Sequence, residues 1–133
     1  MGKILKISEA ATIAIHSMAL IAKSSSLIGA QEISEITGFP RSHISKVLSQ
    51  LTKNRYLHSI RGPRGGFQIR GSIQEISLME IYKLFDGEIQ ETTNCRMNCT
   101  SCPFSNCIFG ELASKFSREF QDYLQKSSLA SII

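Results

Sequence analysis

The stretch Gln31-Glu32-Ile33-Ser34-Glu35-Ile36-Thr37-Gly38-Phe39-Pro40-Arg41-Ser42-His43-Ile44-Ser45-Lys46-Val47-Leu48 decides the fold. Residues 31–37 carry a short helical pattern. Gly38 ends it, since glycine enters positive φ without steric cost. Phe39-Pro40 cannot easily prolong it, because proline disfavours the α region for the residue before it. Pro40 or Arg41 then opens a second helix, in which Ile44, Val47, Leu48 and Leu51 form one apolar stripe. Arg41, Ser42, His43, Ser45, Lys46, Ser49 and Gln50 lie largely off that stripe. Helix, glycine-containing turn, and helix with a polar, basic outer face is the helix-turn-helix pattern.

Downstream, Tyr56-Leu57-His58-Ser59-Ile60 has strand composition, Arg61-Gly62-Pro63-Arg64-Gly65-Gly66 is a turn, and Phe67-Gln68-Ile69 alternates like a returning strand. A β-hairpin directly after a recognition helix is a wing. Arg61 and Arg64 at its tip suit a minor groove or phosphates, and Gly65 and Gly66 let the backbone approach a duplex. Plain turn geometry also accounts for the two glycines, and both readings can hold together.

Upstream, Ser8 has the character of an N-cap, and Ala11, Ala14/Ile15, Met18 and Ile21/Ala22 recur at helical spacing up to the polar run Lys23-Ser24-Ser25-Ser26. Past the wing, Ser77-Leu78-Met79-Glu80 is a capping box ahead of Ile81, Leu84 and Phe85, in a helix ending at Asp86-Gly87. Ile108, Leu112, Phe116, Phe120 and Leu124 recur every four residues over a C-terminal amphipathic helix, a stripe suited to core or subunit interface. The chain is expected to be mainly α with a small β-hairpin wing. Residues 1–72 form the winged helix-turn-helix region, and residues 73–133 hold a cysteine loop and dimerisation helices.

Charge follows the same division. Of the chain's 133 residues, 15 are Lys or Arg and 11 Asp or Glu. Between Gly38 and Arg70 stand seven basic residues (Arg41, Lys46, Lys53, Arg55, Arg61, Arg64 and Arg70) and no acid. The remaining eight basic and eleven acidic residues make the rest of the chain mildly acidic. A localised positive block is the footprint expected of a polyanion-binding surface.

No segment reaches the roughly 20 apolar residues of a membrane span. The Ala10–Ala22 stretch leads into Lys23 and serines, not a signal-cleavage site. The expectation is a cytoplasmic chain with double-stranded DNA, and no membrane, as partner. There is no phosphate loop, no paired-carboxylate motif and no nucleophile–base constellation, so an enzyme is not expected.

All four cysteines, Cys95, Cys99, Cys102 and Cys107, stand in one short polar stretch with the spacing C-x3-C-x2-C-x4-C. Asn94, Asn98, Pro103, Ser105 and Asn106 give that stretch turn-forming chemistry. Thiolates are soft ligands suited to Zn²⁺ or iron–sulfur clusters, and without a secretory signal a metal or redox role is preferred to a disulfide scaffold. A metal-free thiol switch remains an alternative.

The helix-turn-helix from Ala30 to Leu51, the wing Ile60-Arg61-Gly62-Pro63-Arg64-Gly65-Gly66-Phe67, the Ile76–Ile81 stretch, the cysteine loop and the closing helix together resemble the Rrf2 family of bacterial transcription regulators. The resemblance spans nearly the whole chain, and the wing string is its most specific part. It implies a winged helix-turn-helix plus a long C-terminal dimerisation helix, and a homodimer on a pseudo-palindromic operator. It also implies an iron–sulfur cluster, [2Fe-2S] or [4Fe-4S], that senses redox state, nitric oxide, iron or iron–sulfur status. Cluster-binding members often show C-x5-C-x5-C. Here Cys95 and Cys107 keep that overall span, but the middle position is Ser101, flanked by Cys99 and Cys102. Cys95 and Cys107 are then the firmest ligands, with Cys102 preferred to Cys99. In some relatives a non-cysteine ligand comes from the partner's first helix, where Glu9 and His16 stand here. With four cysteines present such a ligand can be dispensed with; Glu9 and His16 stay outside candidates for it, and a solvated helix face is the better reading of each. The alternative to a cluster sensor is a cluster-free or zinc-stabilised repressor acting through its thiols or another effector.

Overall fold

A computed structural model describes residues 6–89, 103–105 and 112–133. The elements in chain order are α1 (Glu9–Lys23), α2 (Ala30–Thr37), α3 (Arg41–Lys53), β1 (Leu57–Ile60), β2 (Gly66–Ile69), α4 (Leu78–Asp86), α5 (Leu112–Lys126) and a closing 3₁₀ turn, Leu129–Ile132. Cys95, Cys99, Cys102 and Cys107 lie outside the described residues.

Each helix boundary has a local cause. Ser8 caps α1, its Oγ accepting the Ala11 amide at 3.1 Å. Gly38 closes α2 in the left-handed region, φ 79°, and donates its amide to the Ser34 carbonyl at 2.8 Å. Pro40 stands before Arg41 with extended backbone, so the turn between α2 and α3 is set by one glycine and one proline. The Ser77–Glu80 capping box opens α4 with both of its reciprocal bonds in place.

One core joins the N-terminal helices to the C-terminal part of the chain. Ile13, Ala14, Met18 and Ile21 of α1 meet Ile33 of α2, Ile44, Val47, Leu48 and Leu51 of α3, Leu57 of β1, Ile81 of α4 and Leu129 of the closing turn. The α3 stripe is buried as the sequence predicts. The α1 stripe is wider than predicted: Ile13 is buried while Ile15 is half-buried. The reason is that α1 packs on both α3 and α4, so two faces of it are covered. Ala11 belongs to the second face, with Leu78, Met79, Tyr82 and Leu124.

β1 and β2 pair antiparallel in the register Leu57↔Ile69, His58↔Gln68, Ser59↔Phe67 and Ile60↔Gly66. A further rung was not foreseen from the sequence. Ile28, between α1 and α2, bridges Phe67 and accepts its amide at 2.9 Å. The end of the chain is likewise tied down. The Leu78 amide donates to Ser127 at 2.9 Å, Leu129 to Ile76 at 2.8 Å and Ala130 to Ile73 at 3.0 Å, so the segment after α5 runs back along residues 73–78.

The four-residue stripe of α5 divides in two. Phe120 meets Tyr82 edge-to-face at 5.5 Å and Leu124 is buried. Leu112 and Phe116 stay 52% and 43% exposed, and Tyr123 59%. The inner half of the stripe is core, and the outer half presents aromatic and aliphatic surface.

Two substitutions test this packing. Leu48→Ala removes a fully buried side chain at the α1–α3 seam, and a loss of about 2–5 kcal/mol is expected by denaturant titration. A Cβ on Gly66 would stand 2.8 Å from the Ile28 carbonyl oxygen. Gly66→Ala is therefore expected to push β2 away from Ile28, lower the melting temperature and speed hydrogen exchange of the Phe67 amide.

Candidate nucleic-acid interface

The α3 stripe that enters the core turns the other face of the helix outward. Arg41, Ser42, His43, Ser45 and Lys46 are all exposed, while Ile44 among them and Val47 after them are buried. No acid stands in the first turn, and the first helical bond begins only at His43, whose amide donates to Pro40 at 3.0 Å. The Arg41 and Ser42 amides thus lie at the positive end of the helix dipole, which favours an anion.

Arg61 and Arg64 are exposed in the hairpin turn. Gly62 takes φ 117°, and its carbonyl accepts the Gly65 amide at 2.9 Å. A Cβ on Gly65 would overlap the Ile60 carbonyl, and one on Gly66 would press on Ile28. The fold itself therefore demands glycine at both positions. A tight tip follows, with two arginines on it and little other side-chain bulk. Between α3 and β1, Arg55 holds φ 67°, an uncommon left-handed conformation for a non-glycine residue.

Electrostatics distinguish this side of the molecule. Among the described residues the ion pair is Lys83–Glu88 at 3.2 Å, and His43 stands 3.0 Å from the Glu9 carboxylate. None of Arg41, Lys46, Lys53, Arg55, Arg61, Arg64 and Arg70 is paired with a described acid. A basic surface left without acidic partners among the described residues is available to a polyanion. At the base of the wing, burial raises the Tyr56 hydroxyl above its ordinary range, and the neighbouring Glu80 carboxylate, 3.5 Å away, adds to the effect.

The structure pairs two residues that the sequence pattern left unrelated. Glu9 opens α1 and His43 lies in the first turn of α3, 34 residues apart, yet Nδ1 of His43 donates to Oε1 of Glu9 at 3.0 Å. No local periodicity links them, because only the α1–α3 packing brings them together. His16 is engaged locally, with Nδ1 2.7 Å from the Thr12 carbonyl and its ring edge-on to Phe39. Among the described residues no group of three or more His, Cys, Asp or Glu side chains could hold a metal ion. The four cysteines are not among them. No helix of the described residues is long and apolar enough to cross a membrane.

The Rrf2 family model, described as iron-dependent transcriptional regulator, matches residues 7–133. The chain belongs to the Rrf2 family. A protein of Aquifex aeolicus named as an HTH-type transcriptional regulator is 26% identical over 110 residues, covering 80% of this chain and 76% of that protein. The transcriptional regulator IscR of Pectobacterium carotovorum is 26% identical over 102 residues, 77% of this chain and 62% of IscR, so this chain spans under two thirds of that relative. Among solved structures, CymR, the global cysteine regulator of B. subtilis, superimposes with a TM-score of 0.77 at 18% identity, over 96% of this chain and 95% of that one. IscR of T. potens gives 0.70 at 18% identity, over 96% and 85%. These likenesses establish the winged-helix fold. The family and the named relatives are transcriptional regulators, not enzymes.

The unpaired charge yields a measurable expectation. Duplex affinity should fall steeply with added salt, and Arg64→Ala should weaken binding to any duplex while reducing the slope of log K against log salt by about one. Fluorescence anisotropy at several salt concentrations checks both.

Proposed function

We propose that two copies of this chain bind a pseudo-palindromic DNA operator, and that the cysteine segment makes that binding responsive to redox state, nitric oxide, iron or iron–sulfur supply. The observation that carries the DNA-binding half is the exposed basic face of α3 and the adjoining wing, whose lysines and arginines have no acidic partner among the described residues. Arg41, Ser42, His43, Ser45 and Lys46 enter the major groove, and Arg61 and Arg64 reach the neighbouring minor groove or its phosphates. The bare backbone at Gly65 and Gly66 permits close approach. The outer half of the α5 stripe, Leu112 and Phe116, together with the exposed Tyr123, is the surface through which a second copy packs. That pairing sets two recognition helices about one turn of the duplex apart. The place of action is the cytoplasm, where the operator is.

The donor set fits an iron–sulfur cluster. Four thiols in one short polar segment match the soft, thiolate-rich ligation such clusters need, and the family description is iron-dependent. Cys95 and Cys107 would hold it, with Cys102 and Cys99 completing the set. When bound, such a cluster supplies a centre that changes oxidation state or is lost under oxidant, nitric oxide or iron limitation. The chain's own contribution is connection: α4 ends at Asp86, before the cysteine segment, and α5 follows it, so the segment joins two helices of which α4 packs on α1 and α5 packs on α4. A change in how that segment packs would bias the spacing or mobility of the two reading heads. Zinc would serve the same connection without a redox-active centre, and the bare thiols would serve it through their own oxidation.

Protein purified without oxygen is expected to show visible absorption with matched iron and sulfide. A colourless protein that resists reconstitution overturns the cluster reading and leaves zinc, detected by metal analysis, or free thiols. For the dimer, Phe116→Glu is expected to shift sedimentation from dimer to monomer at micromolar concentration without loss of helix content. An unchanged dimer would move the interface elsewhere.

A further inference from the structure

Glu9 stands out because it is an acid bonded to a side chain of α3, a helix that itself carries no acid. Its Oε1 accepts a hydrogen bond from His43 Nδ1 at 3.0 Å, and both side chains are about half exposed, 56% and 51%. An ionised carboxylate can only accept, so Nδ1 of His43 carries the hydrogen. Nε2 is then the one ring atom left for another polar partner, and its ring is exposed among Arg41, Ser42, Ser45 and Lys46, the residues assigned above to the major groove.

The carboxylate does not hang from a loose terminus. Tyr82 Oη donates to the Lys6 carbonyl at 2.7 Å, the Ser8 amide donates to Asp86 Oδ2 at 2.9 Å, and Ser8 Oγ caps the helix that Glu9 begins. Two residues of α4 thus fix the chain immediately before Glu9. Behind the pair, Ile13 and Ala14 of α1 share a buried core with Ile44 and Leu48 of α3. Both ends of the Glu9–His43 bond therefore rest on immobilised backbone, which is the condition for orienting a ring and not merely touching it.

A carboxylate here repels DNA phosphate, so it weakens binding to duplexes in general. What it supplies in return is one ring tautomer in one orientation. We propose that Glu9 is a positioning residue for DNA recognition: it holds His43 so that Nε2 meets one base edge in the major groove, favouring discrimination over general affinity. This rests on the assignment of α3 as the DNA-reading helix.

The test uses the full-length protein and two duplexes of equal length, one selected by the wild-type protein from a randomised pool and one scrambled. Affinities are measured for the wild type, Glu9→Ala, His43→Ala, the double variant and Arg64→Ala. Glu9→Ala and His43→Ala are each expected to reduce the selected-to-scrambled affinity ratio roughly tenfold, and the double variant no further than either single. Ring ¹⁵N shifts of His43 are expected to report the Nδ1–H form in the wild type and to move in Glu9→Ala, a signature that a purely structural contact elsewhere would not produce. Multiplicative losses in the double variant, or equal losses on both duplexes as for a phosphate contact, overturn the proposal. Should Arg64→Ala weaken both duplexes while Glu9→Ala leaves the ratio intact, the positioning role fails alone. Should the pool yield no preferred duplex and Arg64→Ala have no effect, the DNA-reading assignment fails with it.

Discussion

The structure depends first on the buried seam between α1 and α3. Ile13, Ala14 and Met18 on one side and Ile44, Leu48 and Leu51 on the other remove from water the whole apolar stripe of a helix whose remaining face is polar. Burying that stripe fixes the rotation of α3 about its axis, because side chains three and four residues apart share a face. Once Ile44 and Val47 are inside, Arg41, Ser42, His43, Ser45 and Lys46 have only one side left to occupy. The same seam brings Glu9 to His43. Hydrophobic burial therefore sets which groups the helix can offer to DNA, and the polar residues contribute chemistry to an orientation they do not determine.

The wing obeys a second constraint, one of space. Phe67 donates its amide to Ile28, so β2 lies against the strand-like residue that precedes α2. There is no room for a Cβ at Gly66 against that backbone, or at Gly65 against Ile60. The glycines thus draw the hairpin onto the helix-turn-helix unit, and Arg61 and Arg64 are carried on a tip anchored to the same core as α3. This is why a short two-stranded hairpin, marginal in isolation, holds a defined place here.

Much of this was legible in the sequence, for reasons that can be named. The α3 stripe, the Gly38–Pro40 turn, the Ser8 cap and the Ser77–Glu80 capping box are local signals, and each appears where its residues predict. What local patterns could not show was anything set by distant packing. Ile28 bridges Phe67 without periodicity of its own. The segment after α5 returns along residues 73–78 with no signal beyond Leu129, which is fully buried. Ile13 is buried because α1 is covered on two sides, which a single-stripe reading misses. The Glu9–His43 pair exists only in three dimensions. The spacing of the α5 stripe suits core or interface alike, and only packing sorts its members: Phe120 and Leu124 turn inward, while Leu112 and Phe116 stay exposed. Charge placement was the most useful global signal, since a stretch of seven bases without an acid coincides with the exposed face of α3 and the wing.

The central claim is that α3 reads the major groove while the wing lies along the minor groove. Methylation interference on the selected duplex tests it directly, since dimethyl sulfate marks guanine N7 in the major groove and adenine N3 in the minor groove. The account predicts interference from guanine N7 at the centre of each half-site, removed by Arg41→Ala, and from adenine N3 in the flanking minor groove, removed by Arg64→Ala. Interference confined to the minor groove, or untouched by either substitution, would contradict it.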